Sequence, residues 1–278
     1  MSTFRIAGVQ MDIELMENQK NLDAMAKAMR ETTSNGAQLT VFPECAVTGY
    51  CFSSLEEAMP YSESIPGDSV EFFTSLCQET NSHVVYGTLE RVDDKLFNAC
   101  VLVGPSGLVG NYRKIHLPFL GIDRFTTPGD QPFQVYEVGS IKVGMNICYD
   151  GSFPESSRVM ALQGADLVVL PTNWPPGAEG FPKWIINTRA LENKIYYAAV
   201  DRIGRERGFS FIGGSKICQP NGEDIQFADH SDYEILYGDI DPSLSRNKHI
   251  VRVPKEHEID RFVDRQPHWY QDIVDENN

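Results

Sequence analysis

Apolar residues recur along the chain in short blocks closed by Gly, Pro, Asn or acidic residues, and stretches of helical period lie between the blocks. Residues 4–11 read as a buried strand. Residues 19–32 follow as a helix with Leu22, Met25, Ala26 and Met29 recurring on one face, ended by Asn35-Gly36. A second short strand over 39–42 is closed by Pro43-Glu44. Residues 69–78 predict another helix, 83–91 and 96–103 a strand pair turning at Asp93-Asp94, and Gly104-Pro105-Ser106-Gly107 a hairpin that returns through 108–115. Further on come a buried strand over 141–147, a helix over 156–163, and a strand over 166–170 that ends at Pro171. A helix over 183–193 carries Trp184, Asn187, Ala190 and Leu191 along one side, and strands follow at 196–201, 213–219 and 235–240. Strands with helices outside them predict an α/β fold, built as two layers of sheet or one wide sheet.

Beyond Asp241 the pattern fades into a polar, acidic stretch with Phe262, Trp269 and Tyr270 interspersed. It reads either as a solvated tail or as an arm that packs on a partner subunit. The expected division is therefore a catalytic domain over 1–242 and a C-terminal extension over 243–278. With 278 residues and no break in composition, the chain is long enough for one substantial core. Hydrophobic content of 41% against 23% charged residues describes a globular protein rather than a disordered one.

The net charge of -15 argues against binding a nucleic-acid backbone or an anionic membrane by bulk electrostatics. An anionic substrate would need a local cation, for which Arg124, Lys183 and Arg202 are the candidates. The start, Met1-Ser2-Thr3-Phe4-Arg5-Ile6, lacks the features of a signal peptide, so a cytoplasmic location is expected. Six cysteines without a C-x-x-C pair and six dispersed histidines offer neither a disulfide framework nor metal-ligand spacing, so no metal is expected.

Cys148 stands at the end of the apolar run 141–147, where a strand stops and a helix is about to begin. Ser152 and Glu155 have the spacing of a capping box, and Pro154 falls in the first turn. A thiol near a helix N-terminus is expected to have its pKa lowered; a buried core cysteine is the plainer reading. Two other reactive groups also follow apolar runs, Glu44 after Val41-Phe42-Pro43 and Lys114 after Gly110-Asn111-Tyr112-Arg113. Functional groups in α/β proteins gather beyond the carboxyl ends of strands. A carboxylate as general base, an ammonium facing developing negative charge and a thiol can together perform acyl transfer without histidine.

Phe42-Pro43-Glu44, Tyr112-Arg113-Lys114-Ile115-His116-Leu117-Pro118 and Ile147-Cys148-Tyr149-Asp150 followed by Phe153-Pro154-Glu155 resemble the three catalytic signatures of the nitrilase superfamily of carbon–nitrogen hydrolases. The likeness runs from about Phe4 to Asp241, with echoes at Thr127-Pro128-Gly129-Asp130, Arg189-Ala190-Leu191-Glu192-Asn193 and Gly214-Ser215. It implies an αββα sandwich, two sheets flanked by helices, that pairs through its helices into a homodimer. By the same resemblance Glu44 is the general base, Lys114 the oxyanion stabiliser and Cys148 the nucleophile, with the backbone N–H of Tyr149 joining the oxyanion hole and no cofactor required. Many members carry a second glutamate after the lysine; here Asp123 is the only acid between Lys114 and Asp130 and is the stand-in.

True nitrilases of the superfamily carry Trp-Glu after the nucleophile, so Tyr149-Asp150 looks more like the branch that hydrolyses amides and N-carbamoyl amines. The expected substrate is a small linear amide or carbamoyl amine. Trp174 is expected to wall the pocket, or else to sit in a rigid surface turn, and Tyr50 and Phe52 are candidates for the opposite wall. His116 lies two residues beyond Lys114 and leaves a Cys-His pairing open. Three alternatives stay beside the hydrolase: an interaction protein on the same scaffold, a true nitrilase, and a thiol redox protein using Cys45 or Cys51.

Overall fold

The computed structural model describes residues 3–275. β1 (Phe4–Gln10) leads through α1 (Asn18–Ser34) to β2 (Leu39–Val41), which lies parallel to β1 with Ala7 opposite Thr40. α2 (Leu55–Ala58) is one turn, capped by the Ser54 hydroxyl, which accepts from the Glu57 N–H at 3.2 Å. α3 (Asp68–Thr80) stops at Asn81, whose φ of 49° is the left-handed conformation that ends many helices. β3 (His83–Val92), β4 (Lys95–Gly104) and β5 (Gly107–Arg113) then form an antiparallel meander whose turns fall at Asp93-Asp94 and Pro105-Ser106, as the sequence predicts.

β6 (Val135–Val138) and β7 (Ile141–Met145) open the second half as a hairpin, followed by the 3₁₀ turn Cys148–Ser152 and α4 (Pro154–Leu162). β8 (Leu167–Thr172) is joined to β9 (Tyr196–Asp201) by a π-helical turn, Phe181–Ile185, and α5 (Ile186–Asn193). A small hairpin of β10 (Arg205–Glu206) and β11 (Phe209–Ser210) precedes β12 (Lys216–Cys218) and β13 (Asp224–Phe227). β14 (Glu234–Ile240) returns to pair antiparallel with β1, so the first and last strands of this unit close together.

Two six-stranded sheets result, in the orders β14-β1-β2-β3-β4-β5 and β13-β12-β9-β8-β7-β6. They pack face to face. Gly8 of β1 meets Val200 of β9, where an added Cβ would come within 2.9 Å of a valine methyl carbon. Alternation along β3 sorts the layers: Val85 joins the core between the sheets, while Val84 and Tyr86 join Met25, Met29 and Phe73 under α1 and α3. α4 and α5 cover the second sheet through Met160, Ala161, Ile186 and Ala190. The molecule is an αββα sandwich, the arrangement the resemblance implies.

Local details differ from the sequence reading. Ser152 does not cap α4. The 3₁₀ turn takes up Ser152, Phe153 becomes the N-cap, and no side chain caps the helix. The π-helical turn shifts the register ahead of α5, so Ile186, Arg189, Ala190 and Asn193 form the buried face while Trp184 and Leu191 are exposed. The strand expected over 213–219 is confined to Lys216–Cys218. After Asp241 the chain forms α6 (Pro242–Arg246), whose Arg246 and Ser245 bind the buried Asp166 carboxylate, and a hairpin of β15 (His249–Val253) and β16 (His257–Asp260). No helix among the described residues is long and apolar enough to cross a membrane.

Candidate active site

Glu44 lies just past β2, in a loop laid directly on β3. The Gly87 N–H donates to the Pro43 carbonyl at 3.1 Å, and a Cβ at Gly87 would strike the Cys45 nitrogen at 2.3 Å, so only glycine admits the loop so close. Cys45 turns the chain at φ 49°. Lys114 is the first residue after β5, its N–H held by the Asn98 carbonyl of β4 at 2.8 Å. Asp123 comes from the 3₁₀ turn Gly121–Arg124. The side chains of all three are fully buried.

Lys114 Nζ donates to Glu44 Oε1 at 2.7 Å and to Asp123 Oδ2 at 2.6 Å. One ammonium therefore sits between two carboxylates. Asn98 Nδ2 bridges the same pair, donating to Glu44 Oε1 at 2.7 Å and to Asp123 Oδ1 at 2.8 Å, and the Tyr50 hydroxyl donates to Asp123 Oδ2 at 2.8 Å. Tyr50 is in turn fixed through its backbone. Glu206, held by the buried Arg202, accepts the N–H groups of Tyr50 and Cys51 at 3.0 and 2.8 Å.

Cys148 begins the 3₁₀ turn with φ 45°, a left-handed conformation that costs a non-glycine residue about 1–3 kcal/mol and makes the sharp corner foreseen between strand and helix. The first bond of the turn runs from the Asp150 N–H to the Ile147 carbonyl at 2.9 Å, so the N–H of Tyr149 lies ahead of the turn's own ladder. Asp150 anchors the corner. Its buried carboxylate accepts from the Ile147 N–H at 2.9 Å, the Tyr112 hydroxyl at 2.8 Å and the His116 N–H at 3.2 Å, and it pairs with His116 Nδ1 at 2.7 Å. Those partners sit on either side of Lys114, so one carboxylate ties the lysine segment to the cysteine corner.

The thiol departs from the sequence expectation. Burial pushes its pKa up and the Glu44 charge adds to that, while Lys114, the Asn173 N–H and the Thr172 hydroxyl pull the other way without prevailing. The positive end of a helix does not act on it because a full 3₁₀ turn separates it from α4. Lys114 cannot lower it far because two carboxylates already share its charge. Burial therefore favours the neutral thiol at Cys148. Burial raises the Glu44 pKa against the opposing pull of Lys114, which makes its carboxylate a stronger proton acceptor. For Lys114, burial favours the neutral amine, but Asp123 and Glu44 outweigh it and hold the ammonium well above the ordinary lysine value. Glu44 Oε2 has no hydrogen-bond partner among the described residues, which leaves that oxygen open for a proton.

Glu44, Lys114 and Asp123 thus meet, Cys148 lies within reach of the Glu44 and Lys114 charges, and the other candidates differ in how near they come. Trp174 is buried in the core beside the site, stacked on Phe181 at 5.7 Å, with its backbone N–H donating to Asp201 Oδ1 at 2.8 Å. Tyr50 reaches Asp123, whereas Phe52 packs on Tyr61. His116 pairs with Asp150 and stacks on Phe153 at 3.7 Å. Of the cations proposed for an anionic substrate, Arg202 is locked by Glu206, Asp12 and the Ile13 carbonyl, and Lys183 and Arg124 are exposed. Sequence reasoning missed Asn98 and Asp150; the available signal for Asn98 was an amide inside the apolar run Leu96-Phe97-Asn98-Ala99-Cys100, where strands rarely carry one.

Comparison with known proteins places the chain in a family. The carbon-nitrogen hydrolase family profile matches residues 5–249. A protein named nitrilase from Pyrococcus abyssi is 40% identical over 269 residues, spanning 96% of this chain and 98% of its own, and an omega-amidase from Bos taurus is 31% identical over 259 residues, spanning 87% and 90%. Among solved structures, an amidase from Nesterenkonia sp. superposes with a TM-score of 0.81 at 24% identity, covering 98% of this chain and 97% of that one. The chain belongs to the carbon-nitrogen hydrolase family.

Proposed function

We propose that the protein hydrolyses a small linear amide or N-carbamoyl amine through a thioester on Cys148. The observation that carries this reading is the buried Glu44–Lys114–Asp123 cluster, of which the Glu44 and Lys114 charges bear on the Cys148 thiol. Glu44 takes the thiol proton as sulfur attacks the carbonyl carbon, and the oxygen that becomes negative is met by the Lys114 ammonium and the Tyr149 N–H. The carbon–nitrogen bond breaks, the proton held on Glu44 passes to nitrogen, and ammonia or an amine leaves. Water then attacks the thioester, giving its proton to Glu44; the carbon–sulfur bond breaks, and Glu44 returns the proton to sulfur. The net reaction consumes one water and yields an acid and ammonia or an amine. No step calls on a cofactor.

A glutamate mutant of the Nesterenkonia amidase, which shares this fold, shows covalent addition of the acetamide moiety of fluoroacetamide at its active-site cysteine. Nitrile hydrolysis is a second reading because the Pyrococcus relative bears the name nitrilase, although Tyr149-Asp150 stands where the resemblance expects Trp-Glu in true nitrilases. We place the catalytic unit at 1–242, with 243–278 as an arm toward a second copy in a cytoplasmic homodimer. Ammonia release from parallel panels of short amides, carbamoyl amines and nitriles ranks the substrates, and Cys148→Ala is expected to abolish it. Release that persists in the purified variant overturns the mechanism. A wild-type protein that neither releases ammonia nor gains an acyl mass on Cys148 is instead an interaction protein on this scaffold.

A further inference from the structure

Among the described residues, Asn98 is the one neutral side chain that donates to both carboxylates of the cluster. Its Nδ2 carries two hydrogens, one to Glu44 Oε1 and one to Asp123 Oδ1. Its own Oδ1 lies 3.7 Å from Cys45 Sγ, so a thiol donor fixes which end of the amide faces the acids. Its backbone carbonyl holds the Lys114 N–H at 2.8 Å. A single strand residue thereby contacts the base loop, the lysine and the 3₁₀ turn that supplies Asp123.

We propose that Asn98 is a positioning residue of the hydrolytic site, clamping Glu44 and Asp123 around Lys114 so that the second oxygen of Glu44 stays free to take the Cys148 proton. The inference rests on the hydrolytic reading above. Two carboxylates sharing one ammonium repel each other, and a bridging amide counters this with two donors and no added charge. With Lys114 and Asn98 both on Glu44 Oε1, rotation of the carboxylate would break two bonds at once, and Oε2 is the oxygen left unpartnered. An aspartate at position 98 would fit the space but could not donate, and it would add a third negative charge. A serine would keep one donor. The full amide alone reaches both acids.

The test uses Asn98→Ala, Asn98→Ser and Asn98→Asp in the full chain, with kcat and KM followed against pH. Groups facing Glu44 in this measurement are Lys114, Asp123, Cys148, the neighbouring Cys45, Tyr50 and, from β9, Asp201. The Asn98 hydrogen bond favours the charged carboxylate, so its loss raises the affinity of Glu44 for a proton. The acid limb of kcat/KM is therefore expected to move to higher pH in Asn98→Ala. kcat should fall about tenfold to a hundredfold, the scale of one lost hydrogen bond to a charged group, while KM changes little. Asn98→Ser should recover part of both effects. If Asn98→Asp does not fold, the other two variants decide.

A folded Asn98→Ala with the wild-type acid limb overturns the inference, whatever its kcat. A second readout needs no substrate: the rate of Cys148 alkylation by a small neutral haloacetamide against pH, followed by intact mass. If wild-type protein turns over no amide, the hydrolytic reading fails. The clamp still stands or falls on whether Asn98→Ala shifts the alkylation profile to higher pH.

Discussion

Lys114 is held by Glu44 and Asp123 with no water-exposed surface on any of the three side chains, so its charge is what permits two acids to be buried together. Lys114→Met keeps the length of the side chain and removes the counter-charge. Breaking a buried pair in this way typically costs about 3–5 kcal/mol. The cost should depend on pH with a definite sign. Without the pull of Lys114, the Glu44 pKa, already raised by burial, rises further above its unfolded value of 4.5. The folded variant then binds a proton that the unfolded chain releases, so it regains stability as pH falls from above the folded pKa toward that value. Urea unfolding should show a large deficit relative to wild type at about pH 8 that narrows by about pH 5.5. Equal deficits at both would mean that the cluster is not held together by charge. The same logic explains why the thiol was misjudged from sequence: a helix N-terminus is visible in the residue order, whereas desolvation depends on what is packed around the sulfur.

The element that sets Cys148 against Lys114 is the corner between β7 and α4, pinned to the end of β5 by Asp150. Tyr112→Phe deletes one donor to that carboxylate and leaves the Ile147 and His116 bonds in place. It should cost about 1–3 kcal/mol in stability and lower kcat more than it changes KM, because Tyr112 stands two residues before Lys114 and acts on alignment rather than on substrate. Thermal unfolding and steady-state kinetics on one preparation check both parts, and an unchanged kcat would show that Asp150 serves folding alone. Much of this architecture was legible in the chain. Short apolar blocks closed by Gly, Pro, Asn or acidic residues located the central strands, and Glu44, Lys114 and Cys148 stood out because each ends an apolar run. The missed parts share a cause. β6 and β13 are four-residue edge strands with little alternation to see, and Asn98 becomes a site residue only through hydrogen bonds to groups 54 and 25 positions away. The Ser152 cap failed because a strained cysteine at φ 45° starts a 3₁₀ turn that absorbs it, a competition that S-x-x-E spacing cannot register.

On the scale of the whole molecule, the outer face of α4 and α5 is unusually apolar for a chain of net charge -15: Val159, Leu162, Trp184 and Leu191 are all exposed there. The C-terminal segment lies along the same face. Phe262 is sandwiched by the Arg158 guanidinium at 5.2 Å and the Lys248 ammonium at 4.7 Å, and Arg261 donates to the Leu191 carbonyl at 3.0 Å. Beyond that anchor Trp269, Ile273 and Val274 present further apolar surface, and Ile273 and Val274 border a cleft with Val159 and Leu162. An apolar helix face continued by an apolar arm is what the proposed homodimer would bury. Leu162→Asp places a charge in the middle of that surface without touching Asp150 or the cysteine corner. Sedimentation velocity should give twice the chain mass for the wild type and the single-chain mass for the variant, with the far-UV spectrum unchanged. A wild type that sediments as a single chain at all concentrations would remove the dimer. A variant that stays dimeric would move the interface off this face, to surfaces that α4 and α5 do not reach.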